Sequence, residues 1–96
     1  MTRRAARTDA NQAEIVAALR KAGCSVQDLS KVGQGVPDLL ICRAGFMALV
    51  EVKDGRKPPS ARRLTPEQEA WHAAWPGDVY VVTSVTEALA VIAGAR

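Results

Sequence analysis

Apolar positions along the chain recur first at helical spacing and then at strand spacing. Ile15, Ala18, Leu19 and Ala22 share one face of a helix, and Gly23 follows where a helix can end in a left-handed conformation. Asp9 with Gln12 three residues on has capping-box spacing, so the helix is expected to open at Asp9. Ser25–Leu29 reads as a short strand around Val26, and Lys31–Pro37, with Gly33, Gly35 and Pro37, as a loop. Asp38–Cys42 and Phe46–Lys53 are β-rich runs joined by a tight reverse turn, and so predict a hairpin. Asp54–Leu64 carries Gly55, Pro58, Pro59 and four basic residues, and reads as a polar, mobile loop. Thr65-Pro66-Glu67-Gln68 then has every mark of a helix start: N-cap threonine, proline in the first turn, an acid, and a glutamine to close the box. That helix should stop before Pro76-Gly77. Val79–Val82 is a further buried strand, and Ser84 with Glu87 caps a last helix that ends at Gly94. The predicted order is α-β-β-β-α-β-α, an α/β class fold with a mixed β-sheet flanked by helices.

The hairpin brings chemistry with it. With Ala44 and Gly45 as its loop residues, Arg43 faces Phe46, and Asp38 faces Glu51 in the same register. Their Cβ atoms are then expected about 4.5–5.5 Å apart on one face of the sheet. Two opposed carboxylates repel each other, and a bound divalent cation is the obvious reason for a sheet to keep them. Hard oxygen ligands suit Mg²⁺ or Mn²⁺, which retain waters and take one or two carboxylates. Lys53, two residues after Glu51, projects to the same face while Val50 and Val52 turn to the core. A one-residue slip of the register would put the two acids on opposite faces.

Composition narrows the possibilities around this pair. Ninety-six residues predict one domain, residues 1–96, and a 48% apolar, 24% charged composition is that of a globular chain. No apolar run is long enough to span a bilayer, and no apolar stretch follows the basic start as in a secretory signal, so a cytoplasmic protein is expected. Two cysteines, Cys24 and Cys42, are too few for a disulfide scaffold and read as small buried apolar residues. The net charge is +3, with basic residues clustered at Arg3, Arg4 and Arg7 in an arm over residues 1–8. Arg56, Lys57, Arg62 and Arg63 form a second cluster with no acid between them, and two such patches suggest a polyanion such as nucleic acid. Lys31, Gln34 and this loop flank the acids in sequence and are candidates for phosphate contacts. Trp71 and Trp75, four apart on one helix face, are expected in the core or a subunit interface, and His72 on the surface.

Gly35-Val-Pro-Asp38-Leu-Leu, Leu49-Val-Glu51-Val-Lys53 and Leu64-Thr-Pro-Glu-Gln68-Glu-Ala-Trp71, in this order and spacing, resemble the VRR-NUC domain of the PD-(D/E)xK nucleases. The resemblance runs from about Glu14 to the final helix, and the chain's size resembles the stand-alone phage and bacterial members. It implies a restriction-endonuclease-like fold in which Asp38 and Glu51 bind Mg²⁺ or Mn²⁺ and Lys53 is the catalytic lysine. It further implies a metal-ligand role for the Val52 backbone carbonyl, a metal-directed role for Glu14 on the first helix, and a supporting role for Gln68. Helix capping alone accounts for Gln68, and a second role requires its side chain to leave the cap. The activity implied is metal-dependent endonucleolytic cleavage of branched DNA by a homodimer, as a Holliday-junction resolvase in a bacterial or phage-infected cell. The alternatives are a monomeric flap or nicking nuclease and a non-catalytic DNA-binding module of the same fold.

Overall fold

A computed structural model describes residues 9–94, so the basic arm expected over residues 1–8 lies outside the described residues. The elements follow the predicted order: α1 (Gln12–Lys21), β1 (Ser25–Asp28), β2 (Leu39–Arg43), β3 (Phe46–Val52), α2 (Pro66–Ala74), β4 (Val79–Val82) and α3 (Val85–Ala93). A short 3₁₀ turn, Pro59–Ala61, adds structure within the loop before α2. The sheet is four-stranded in the order β1-β2-β3-β4. Its first three strands are antiparallel, and β4 runs parallel to β3. Parallel neighbours need a crossover connection, and the segment containing α2 supplies it.

The hairpin adopts the predicted register, with Arg43 opposite Phe46 and Leu39 opposite Val50. Ala44 at φ 50° and Gly45 at φ 87° both take positive φ, as a two-residue type I′ turn demands. Alternate residues of the hairpin therefore part cleanly. Leu39, Ile41, Ala48, Val50 and Val52 join Val82 on one face, against Ile15 and Leu19 of α1 and Ala88 and Ile92 of α3. Ile15 and Leu19 are fully buried, and truncating either to alanine would cost ~2–5 kcal/mol. The opposite face carries Leu49, Glu51 and Lys53, and α2 lies over it.

The end of α1 is built as its sequence suggests, but the start is not. Gly23, at φ 96°, lets the Cys24 N–H reach back to the Leu19 carbonyl and its own N–H to Arg20, each at 3.0 Å. At the other end the N-cap is Asn11, and Asp9 contributes only a backbone carbonyl to the Gln12 N–H. The capping box expected from Asp9 and Gln12 is absent because both neighbours are engaged elsewhere. Asn11 is 3% exposed and donates to the Lys53 and Thr83 carbonyls, each at 3.1 Å, while the Gln12 amide reaches Asp28. Asn11 thus ties α1 to the ends of β3 and β4. No helix among the described residues is long and apolar enough to cross a membrane.

Candidate active site

Glu51 and Lys53 stand on the α2 side of β3, and the first turn of α2 meets them there. Thr65 caps the helix by accepting from the Gln68 N–H at 3.1 Å, and the Gln68 side-chain oxygen accepts from the Thr65 N–H at 2.9 Å. That same oxygen accepts from Lys53 Nζ at 2.9 Å, and the amide nitrogen of Gln68 donates to Glu51 Oε2 at 3.1 Å. Gln68 therefore does not leave the cap to reach the site, contrary to the expectation from sequence. A carbonyl oxygen has two lone pairs, so one side chain closes the cap and bridges acid to lysine at once. Lys53 Nζ also lies 4.0 Å from Glu51 Oε2.

Asp38 lies just before β2, where its carboxylate accepts the Val52 N–H at 2.8 Å. The Val52 carbonyl points to this same side, since a ladder residue directs both backbone groups one way. The Asp38 and Glu51 carboxyls feel each other, and both are pushed up from their ordinary values. Burial is the largest cause at each. At Glu51 the Asp38 charge adds to it, and the carboxyl is raised to about 8; at Asp38 the bond from Val52 pulls back the other way. Glu51 is only 2% exposed, and its Oε1 is buried without a hydrogen-bond partner.

The other candidate residues divide. Glu14 is exposed on α1, one position before buried Ile15, and lines a cleft with Asp54, Arg56 and Ser84. Asp9 is the N-terminal acid whose charge raises both Asp38 and Glu51, and it also pairs with Lys57 at 3.4 Å. Sequence reasoning missed Asp9 by giving it a capping role that Asn11 displaces. His72 was expected on the surface, yet its side chain is 13% exposed and its Nε2 lies 3.7 Å from Glu51 Oε1. Its position four residues after Gln68, on the same face of α2, was the available signal. Trp71 and Trp75 stack at 4.9 Å; Trp71 packs on Gly35, and Trp75 is 45% exposed.

Among the candidate phosphate contacts, Lys31, Gln34 and Arg63 are exposed. Arg56 is held in a two-pronged pair by Asp54, at 3.0 and 3.1 Å, and Lys57 leans on Asp9. Arg62 has its Nε buried without a partner.

Among the described residues no group of three or more His, Cys, Asp or Glu side chains forms a ready cage for an ion. The donors present nevertheless fit a hard divalent cation. Two neighbouring carboxyls whose charged forms burial disfavours, one with an unpartnered buried oxygen, are what such a charge would relieve. Mg²⁺ and Mn²⁺ bind through one or two carboxylates and complete their shells with water and substrate oxygens.

No protein-family model and no curated protein matches the chain. A solved structure described as a VRR_NUC domain superposes on it with a TM-score of 0.66 at 26% identity, covering 92% of this chain and 100% of that one. The three motif blocks and the arrangement of sheet and helices thus point the same way, and the chain has the fold of a VRR-NUC domain.

Proposed function

We propose that this protein is a divalent-metal-dependent endonuclease that hydrolyses phosphodiester bonds in branched DNA, with four-way junctions as substrate and a homodimer as the active form. The VRR-NUC fold suggests a nuclease of the PD-(D/E)xK type. The observation that carries the reading is the hydrogen-bonded chain Lys53–Gln68–Glu51 beside Asp38, drawn together from three elements onto one face of the sheet. Asp38, Glu51 and the Val52 carbonyl would hold Mg²⁺ or Mn²⁺. When bound, such an ion supplies Lewis acidity, offsetting phosphate charge and making water acidic enough to attack.

The remaining work falls to the protein. Lys53, fixed by Gln68, presents an ammonium where negative charge grows on the phosphate. Gln68 holds Glu51 and Lys53 at a set spacing, so neither must reorganise as the reaction proceeds. Lys31, Gln34, Arg62 and Arg63 are the candidates for gripping flanking phosphates, which supplies affinity without base readout. Met47 and Trp75, at 61% and 45% exposure, line one shallow groove whose apolar wall a second copy would cover. Two sites related by a two-fold axis match the symmetry of a junction. A monomeric flap or nicking nuclease would use the same active site.

Incubation with Mg²⁺ or Mn²⁺ on junction, flap and duplex DNA tests the reading, with Asp38→Ala and Lys53→Ala as controls. The expected result is paired symmetric nicks in the junction, lost in both variants. Equal cutting by wild type and variants, or none with either ion, would remove the enzyme and leave a DNA-binding module. A monomeric solution mass with flap cleavage would favour the second nuclease.

A further inference from the structure

Glu51 has two carboxylate oxygens, and α2 faces both. Oε2 accepts from Gln68 at 3.1 Å. Oε1 is buried and accepts nothing, and His72 Nε2, itself buried and unpartnered, lies 3.7 Å away. That separation is too long for a hydrogen bond, and each atom carries an unmet desolvation cost while it persists. Closing it to a bond of ~2.9 Å needs a movement of roughly 0.8 Å. Gln68 and His72 are four residues apart, so one helix face presents one donor to each oxygen of a single carboxylate.

We infer that His72 is a positioning residue for Glu51: its Nε2–H donates to Oε1, so that Gln68 and His72 together fix the plane in which the carboxylate meets a cation. The inference rests on the proposed metal role of Glu51. The imidazole's surroundings suit a neutral donor, since burial and the Lys53 charge both oppose its protonation. Neutral imidazole carries one N–H, and its placement on Nε2 leaves the other nitrogen unprotonated. Donors of this kind, which touch the ligand and not the ion, change metal affinity by about 10- to 100-fold when removed.

His72 is the chain's single histidine, so its ring nitrogens can be observed without ambiguity. Long-range ¹H–¹⁵N correlation spectra of the metal-free full chain above about pH 8, where Glu51 has released its proton, should show the proton on Nε2, and Glu51→Gln should shift that resonance. Calorimetric Mn²⁺ titration should show affinity reduced about 10- to 100-fold in His72→Phe and largely recovered in His72→Gln, whose amide can donate to the same oxygen. A proton on Nδ1 with bare Nε2, or wild-type Mn²⁺ affinity in His72→Phe, overturns the inference. If the wild-type chain binds no Mn²⁺, the proposed function falls. The spectra still decide the His72–Glu51 contact in that case, and an Nε2–H that ignores Glu51→Gln refutes it.

Discussion

The Asp38 carboxylate accepts the backbone N–H of Val52 at 2.8 Å, so an acid proposed to hold the cation also closes the ladder of the strand that carries its partner acid. Removing the charge and removing the bond should therefore have separable effects. Asp38→Asn keeps an acceptor for Val52 and should abolish cleavage with little loss of stability. Asp38→Ala leaves that N–H unmet and should lose ~1–3 kcal/mol as well as activity. Urea denaturation of the two variants, alongside a cleavage assay, distinguishes these outcomes; equal stabilities would show the bond to be unimportant.

The raised carboxyl of Glu51 fixes the direction of the pH dependence. Between the usual value of 4.5 and about 8, the folded chain holds a proton that the unfolded chain has released. Stability therefore falls as pH rises through that window, and Asp38, shifted the same way, reinforces it. Metal-free protein should melt higher at pH 5 than at pH 8, by ~4–8 °C for each kcal/mol involved. Glu51→Gln should flatten the slope, and Mn²⁺ should raise Tm more at pH 8 than at pH 5. Melts in chelator across this range check both.

Capping and chemistry meet in Gln68, so a change at the cap should reach the active site. Thr65→Ala should cost ~1 kcal/mol in stability through the lost bond to the Gln68 N–H. It should also lower kcat by loosening the bridge to Lys53. Gln68→Ala should lower kcat further, with KM for DNA nearly unchanged, since phosphate contacts lie elsewhere. A KM effect alone would place Gln68 in binding.

Gly33 and Gly35 offer a paired test of packing. Both have positive φ, 72° and 84°, but only Gly35 is crowded. A Cβ there would run into the Glu67 carbonyl and approach Trp71 Cβ at 3.1 Å, whereas at Gly33 it would meet nothing. Gly33→Ala should cost ~1–2 kcal/mol from backbone conformation alone. Gly35→Ala should cost ~2–4 kcal/mol and reduce activity, because α2 must move off the sheet. Equal costs would mean that the contact with α2 is slack.

Salt dependence should separate the basic residues. Arg63→Ala and Lys31→Ala should each weaken DNA binding at every sequence and reduce the salt slope by about one. Arg56→Ala should change the slope less, since Asp54 already holds that guanidinium. Filter binding across a salt series measures this.

Legibility in the sequence followed the range of the interactions. The hairpin register was readable because alternating apolar residues punish a slip and Gly45 suits a left-handed turn, although Ala44 is a weak former of it. The start of α2 was readable because Thr65, Pro66 and Gln68 act within one turn. The start of α1 was not, because Asn11 is claimed by the Lys53 and Thr83 carbonyls, 42 and 72 residues away. Those bonds decide how the segment before α1 approaches the sheet, and with it the placement of Asp9 and Glu14. Burial of His72 likewise depends on α2 docking over Glu51, which no local pattern announces.

The triple engagement of Gln68 has a thermal consequence. Helix termini fray before domains melt, and here the fraying turn is the one that aims the amine and the acid. Warming should therefore silence turnover while the hydrophobic interior is still intact, and cooling should restore it without refolding.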